Sequence, residues 1–104
     1  MSRQWQEHED AHKELRAAIF WYEEQRIGWG NKFADATEAA IESILEAEFC
    51  WGLYLDTRSD PQFYSRSIKG FPFYVVYMVL NDEVFVLAYA HERRRPGYWL
   101  DRLK

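Results

Sequence analysis

Apolar residues in the first half of the chain recur at helical spacing. Leu15, Ala18, Ile19 and Tyr22 fall three and four residues apart, which places them on one face and predicts a helix from about Asp10 to Gln25. The segment Arg26-Ile27-Gly28-Trp29-Gly30-Asn31 interrupts the pattern, and a second stripe follows at Phe33, Ala36, Thr37, Ala40, Ile41, Ile44 and Leu45. Two amphipathic helices joined by so short a connection are antiparallel neighbours, so residues 10 to 48 are expected to form a helical hairpin with one apolar side to cover. The period then changes. Residues 73–80 and 84–90 are runs of β-branched and aromatic side chains, and the Asn81-Asp82 pair between them tolerates the positive backbone angles of a tight turn, which predicts a β-hairpin. Upstream, Gln62 to Ile68 sets Phe63, Ser65 and Ser67 against Gln62, Tyr64, Arg66 and Ile68, the alternation of a third antiparallel strand. Arg3 to His8 alternates weakly and is polar, so a strand there belongs on an edge. Glu48 to Asp60 has neither period and is expected to be a packed loop.

Together these elements predict one α+β domain over residues 1–104, in which a helical hairpin packs on a small antiparallel sheet. The expected order is β-α-α-β-β-β, with a short C-terminal tail or helix. The composition supplies the core, since 48% of residues are hydrophobic and the aromatics include five Trp, seven Tyr and seven Phe. Cys50 is the only cysteine, and its spacing from His8, His12 and His91 does not resemble a zinc site, so neither a disulfide nor a metal is expected. Cys50 reads as a small buried hydrophobe. The N-terminal residues lack the apolar core of a signal peptide, and no apolar run approaches the ~18 residues of a membrane span. A soluble, cytoplasmic protein without a membrane partner is the expectation.

Charge adds a polarity. Residues 1–60 carry 6 Lys/Arg against 13 Asp/Glu, whereas residues 61–104 carry 7 against 4. The chain is acidic overall, at −4, yet its second half is cationic and holds the consecutive Arg93, Arg94 and Arg95, followed by Arg102 and Lys104.

Four groups of residues, in this order and at compatible spacing, carry a resemblance to a known family. They are Trp21-Tyr22-Glu23-Glu24-Gln25; Gly28-Trp29-Gly30 followed by Phe33; Phe71-Pro72-Phe73 with Tyr77; and the block Leu87-Ala88-Tyr89-Ala90-His91-Glu92-Arg93-Arg94-Arg95-Pro96-Gly97-Tyr98-Trp99. Over about residues 3 to 103 the chain resembles the RelE/ParE toxins of type II toxin–antitoxin systems. The resemblance implies a growth-inhibiting toxin neutralised by a cognate antitoxin, whose C-terminal segment folds around it. It also implies one of three modes of action. A ParE-like member inhibits DNA gyrase by binding, a RelE-like member cuts mRNA on the ribosome, and a non-toxic member keeps only the interaction.

A metal-independent, cofactor-free endoribonuclease of this kind needs cations on the phosphorane and a group to move a proton. The resemblance places Arg66 and Arg93 at the cationic positions, and His91 or Tyr98 at the proton-transferring one. Arg66, Lys69, Arg93, Arg94 and Arg95 are the residues expected to hold an antitoxin or target. Each has a structural alternative. His91 can bond the turn after its strand, Arg93 to Arg95 can hold the tail or pair with acidic residues of the helices, and Tyr98 and Trp99 can pack on the sheet. The low pI, near 5.3, and the absence of a dense Lys/Arg cluster on the middle strands favour action by binding over docking on ribosomal RNA.

Overall fold

A computed structural model describes residues 4–47, 52, 54 and 61–103. The elements run β1 (Gln4–Glu7), α1 (Glu9–Gln25), α2 (Trp29–Glu46), β2 (Tyr64–Ser67), β3 (Phe73–Leu80), β4 (Glu83–His91) and a C-terminal 3-10 helix (Tyr98–Leu103). The fold is α+β in the expected order. Cys50, Lys104 and most of the expected loop from Glu48 to Asp60 lie outside the described residues. None of the described helices is long and apolar enough to cross a membrane.

α1 starts where the His8 side chain accepts the Asp10 N–H through Nδ1 at 3.0 Å, and Glu9 and Asp10 place negative charge on the positive end of the helix. Its buried stripe is Ala11, Ala18 and Tyr22, flanked by Leu15 and Ile19. α2 begins one turn earlier than the apolar stripe suggested. Gly28 adopts φ 92° as the residue before the helix, and the Glu23 carboxylate of α1 accepts the N–H groups of Gly28 and Gly30, each at 3.1 Å. One acidic side chain of the first helix therefore caps the second, satisfying two donors that a helix start leaves open. Gly30 itself lies at the helix crossing, where an added Cβ would come within 2.8 Å of the Ile19 carbonyl oxygen. Gly30→Ala is accordingly expected to destabilise the fold by about 1–2 kcal/mol despite the better helix propensity of alanine, because backbone rather than a flexible side chain blocks the space. Urea denaturation checks this, and a stabilised variant would show that the crossing can open without cost.

The four strands form one mixed sheet of order β1-β4-β3-β2. β2, β3 and β4 are antiparallel as expected, while β1 joins the far side of β4 in parallel. Asn81 and Asp82, with φ 52° and 62°, make the two-residue turn of the β3–β4 hairpin. One feature of β4 is invisible in its uninterrupted apolar run. Val76 pairs with Ala88 but Tyr77 pairs with Val86, so Leu87 is an extra residue and the strand carries a bulge. The bulge reverses the alternation: Val84, Val86 and Tyr89 face the helices, whereas Leu87, Ala88 and Ala90 face away. The sheet thus has two cores. The helical face buries Phe33 between Tyr22, Phe71 and Phe73 at centroid distances of 5.0–5.1 Å, and the opposite face packs Val76, Leu87, Ala88 and Ala90 under Tyr54, Phe63 and Trp99.

Candidate binding groove

The arginine run is built by turns. After β4 the Arg94 N–H returns to the His91 carbonyl at 3.0 Å, and the Arg93 N–H to His91 Nδ1 at 3.0 Å. At Gly97 the backbone takes φ 80°, and its N–H reaches the Tyr54 hydroxyl at 3.0 Å. The chain then enters the 3-10 helix, whose Trp99 is buried edge-on against Phe63 and Tyr54 at centroid distances of 4.8 and 5.1 Å. These turns fold Arg93, Arg94 and Arg95 back over the face of the sheet opposite the helices, where they border a groove of about 540 Å³ with Tyr54, Tyr74, Ser65 and Ser67.

All three arginines are exposed, and among the described residues none makes an ion pair. Arg94 lies over the Tyr98 ring at 3.9 Å, and the Arg93 and Arg95 guanidinium groups make no bond to another described residue. The Tyr74 hydroxyl is pushed up to about 12 by burial, reinforced by the Tyr54 hydroxyl and the Glu92 carboxylate, so it stays a neutral donor. Among the described residues Glu92 is the one carboxylate on the lining. Guanidinium, phenol and serine donors converging on one groove suit a ligand rich in anionic oxygen.

The other expected site residues are dispersed. Arg66 is on the helical face, where its Nε donates to Ser43 Oγ of α2 at 3.2 Å, and Lys69 borders the same small pocket. Arg66 and Arg93 therefore occupy opposite faces of the sheet and do not converge on one phosphate. His91 bonds its own turn and packs edge-on against Phe73 at 5.0 Å. It shares a cleft with Tyr98, Arg94 and Glu14, but the Tyr98 hydroxyl donates to the Glu14 carboxylate. Burial, together with that bond and the Glu14 charge, pushes Tyr98 well above the usual phenol range despite Arg102 and Arg94. A phenol holding its proton so tightly is a poor acid.

Two residues that the sequence did not single out organise this region. Glu14, on α1, accepts Arg102 Nη1 and Nη2 at 2.8 and 3.1 Å and the Tyr89 N–H at 3.2 Å, while Arg102 Nη1 also donates to the Leu87 carbonyl at 2.8 Å. Beyond Glu7 no strand among the described residues lies beside the edge of β4, and Glu14 and Arg102 satisfy the Tyr89 N–H and the Leu87 carbonyl there around the bulge. Arg102, not Arg93 to Arg95, ties the tail to the helices. Burial opposes its charge, but the bonds and charge of Glu14 outweigh burial and raise its pKa.

Tyr89, whose hydroxyl donates to Glu7 at 2.7 Å, is also raised, first by burial and then by that carboxylate. For both phenols the native state holds the proton more tightly than the unfolded chain, whose value is about 10. Their contribution is intact below pH 10 and is lost as pH rises from there toward the native values. Urea midpoints are expected to fall above pH 10, less steeply for Tyr98→Phe; parallel profiles for parent and variant would refute the assignment to Tyr98.

No protein family, curated protein or solved structure matches the chain.

Proposed function

We propose that the chain is the toxin of a type II toxin–antitoxin pair, of the RelE/ParE kind, working in the cytoplasm by binding a target such as DNA gyrase rather than by cutting RNA. The observation that carries this reading is the groove bordered by the exposed Arg93 and Arg95, set against Arg66 on the opposite face of the sheet and against the bonds within the fold that occupy His91 Nδ1 and the Tyr98 hydroxyl. The element order β-α-α-β-β-β supports the kinship that the C-terminal block suggests. A cognate antitoxin with an acidic tail fits the groove, its carboxylates bonding Arg93 and Arg95 and its apolar side chains lying along Tyr54 and Tyr74.

Co-expression with the protein encoded by the adjacent reading frame, followed by size exclusion, tests the pairing. Arg93→Glu/Arg95→Glu is expected to weaken that complex by about a hundredfold or more, equivalent to about 2.7 kcal/mol, with an unchanged melting temperature because both side chains are exposed and neither guanidinium bonds another described residue. Induction alone is expected to arrest growth with transcripts intact, and the purified protein to inhibit supercoiling by gyrase. Cleaved transcripts would move the reading to the endoribonuclease branch, and absence of both arrest and co-elution would reject the toxin altogether.

A further inference from the structure

We propose that the outer edge of β1, with the two apolar grooves beside it, takes an extended basic segment of a partner protein by strand addition. This rests on a surface separate from the arginine groove and does not depend on the toxin reading.

The sheet has two edges, and they differ. At β2 the outer side is occupied, since the Ser65 N–H donates to the Gly52 carbonyl and the Tyr54 N–H to the Phe63 carbonyl, both at 3.0 Å. At β1 no described segment follows. The His8 N–H points inward to the Val86 carbonyl at 2.9 Å, and the alternation of a strand turns Gln4 and Gln6 the same way. The N–H and C=O groups of Trp5 and Glu7 therefore face outward, in the pattern that a further strand would pair. β1, Gln-Trp-Gln-Glu, is short and ends on the charged Glu7, but it carries none of the lysine, proline or bulge that most strongly blunt an edge.

The flanks are shaped for alternate side chains. On the helical side Trp5, 40% exposed, borders a groove of about 440 Å³ floored by Leu15, Ile19, Ile41 and Leu45. On the other side Gln6 borders one of about 360 Å³ lined by Met78, Leu80, Phe85 and Leu103. An added strand would send alternate side chains into the apolar groove beside Gln6 and the others along the Trp5 groove, where a lysine stem can lie on the apolar floor with its ammonium at the Glu38 and Glu42 rim.

Charge selects the occupant. Glu38 and Glu42 stand one turn apart on the rim of the helical-side groove, exposed and without an ion pair among the described residues, whereas Glu7 is already engaged by His12 and Tyr89 and Glu83 by Gln6. Among the described residues the one Lys or Arg lining these two grooves, Arg102, is committed to Glu14. A second copy of the chain pairing β1 to β1 would bring the same carboxylates from both sides together, which is repulsive, whereas lysine or arginine on an extended apolar segment would be held by them.

The test uses a short fluorescent peptide alternating valine with lysine, compared with a peptide of the same composition in which the two residue types form separate blocks, and with one carrying glutamate for lysine. The alternating peptide is expected to bind about tenfold or more tighter than either control by anisotropy. Amide exchange followed by NMR is expected to show new protection at Trp5 and Glu7. Glu38→Lys/Glu42→Lys, which changes only exposed side chains, should weaken binding by about tenfold. Equal affinity for the block peptide would reduce the effect to general attraction between opposite charges and overturn the proposal, as would protection confined to other strands. Concentration-dependent dimerisation of the free protein, abolished by Trp5→Pro, would assign the edge to a second copy and overturn it too.

Discussion

Glu14→Ala is expected to destabilise the protein by about 3–5 kcal/mol, the range for breaking a buried ion pair from one side. The Glu14 and Arg102 side chains are only 16% and 13% exposed, so removal of the carboxylate strands a cation away from water. It also deprives the Tyr98 hydroxyl and the Tyr89 N–H of their acceptor. Such a loss is a large share of the roughly 5–15 kcal/mol that stabilises a domain of this kind, and the melting temperature should drop by well over ~10 °C. The cause can be isolated. Glu14→Leu combined with Arg102→Met removes both charges and preserves bulk, so the double variant should be more stable than Glu14→Ala even though more of the structure has changed. If the double variant is instead less stable by the sum of the single effects, the pair is not coupled and the tail is held by its apolar contacts alone.

This hub explains why the fold was more legible in the sequence than the site. A helical face or a hairpin turn is announced by neighbours in the chain: the stripe from Leu15 to Tyr22, the alternation around Tyr64 and Arg66, and the Asn81-Asp82 turn each carry their own signal. The earlier start of α2 did not, because its cap is the side chain of Glu23 in the preceding helix. The parallel attachment of β1 and the bulge at Leu87 were equally hidden, since a run in which every residue is apolar shows no break in alternation when the strand slips by one. That slip decides which face Tyr89 and His91 occupy and so where the arginines after them go. Arg66 and Arg93 look like partners in the linear order, but strand parity puts one beside α2 and the other across the sheet. Glu14 and Arg102, 88 residues apart, are single charged positions with nothing local to mark them.

Trp99→Ala should cost about 3–5 kcal/mol, because Trp99 is 1% exposed and fills the space between the sheet, Tyr54 and Phe63. The consequence reaches the groove. Tyr54 accepts the Gly97 N–H that sets the arginine turn, so a cavity beneath Tyr54 loosens the frame that presents Arg93 and Arg95. Anion binding should therefore fall more than the folded fraction does. Phenylalanine is the informative replacement. The indole Nε1 is buried with no hydrogen-bond partner among the described residues, and a buried donor left unmet costs about 1–3 kcal/mol. Trp99→Phe leaves a smaller cavity than alanine and removes that donor, and the two effects oppose each other. The variant is expected to lie within about 1.5 kcal/mol of the parent and to keep the groove, as measured by urea denaturation and by binding of the proposed antitoxin. A Trp99→Phe variant as unstable as Trp99→Ala would mean that the indole N–H is bonded in solution, and the second core would then be fastened by a polar contact as well as by packing.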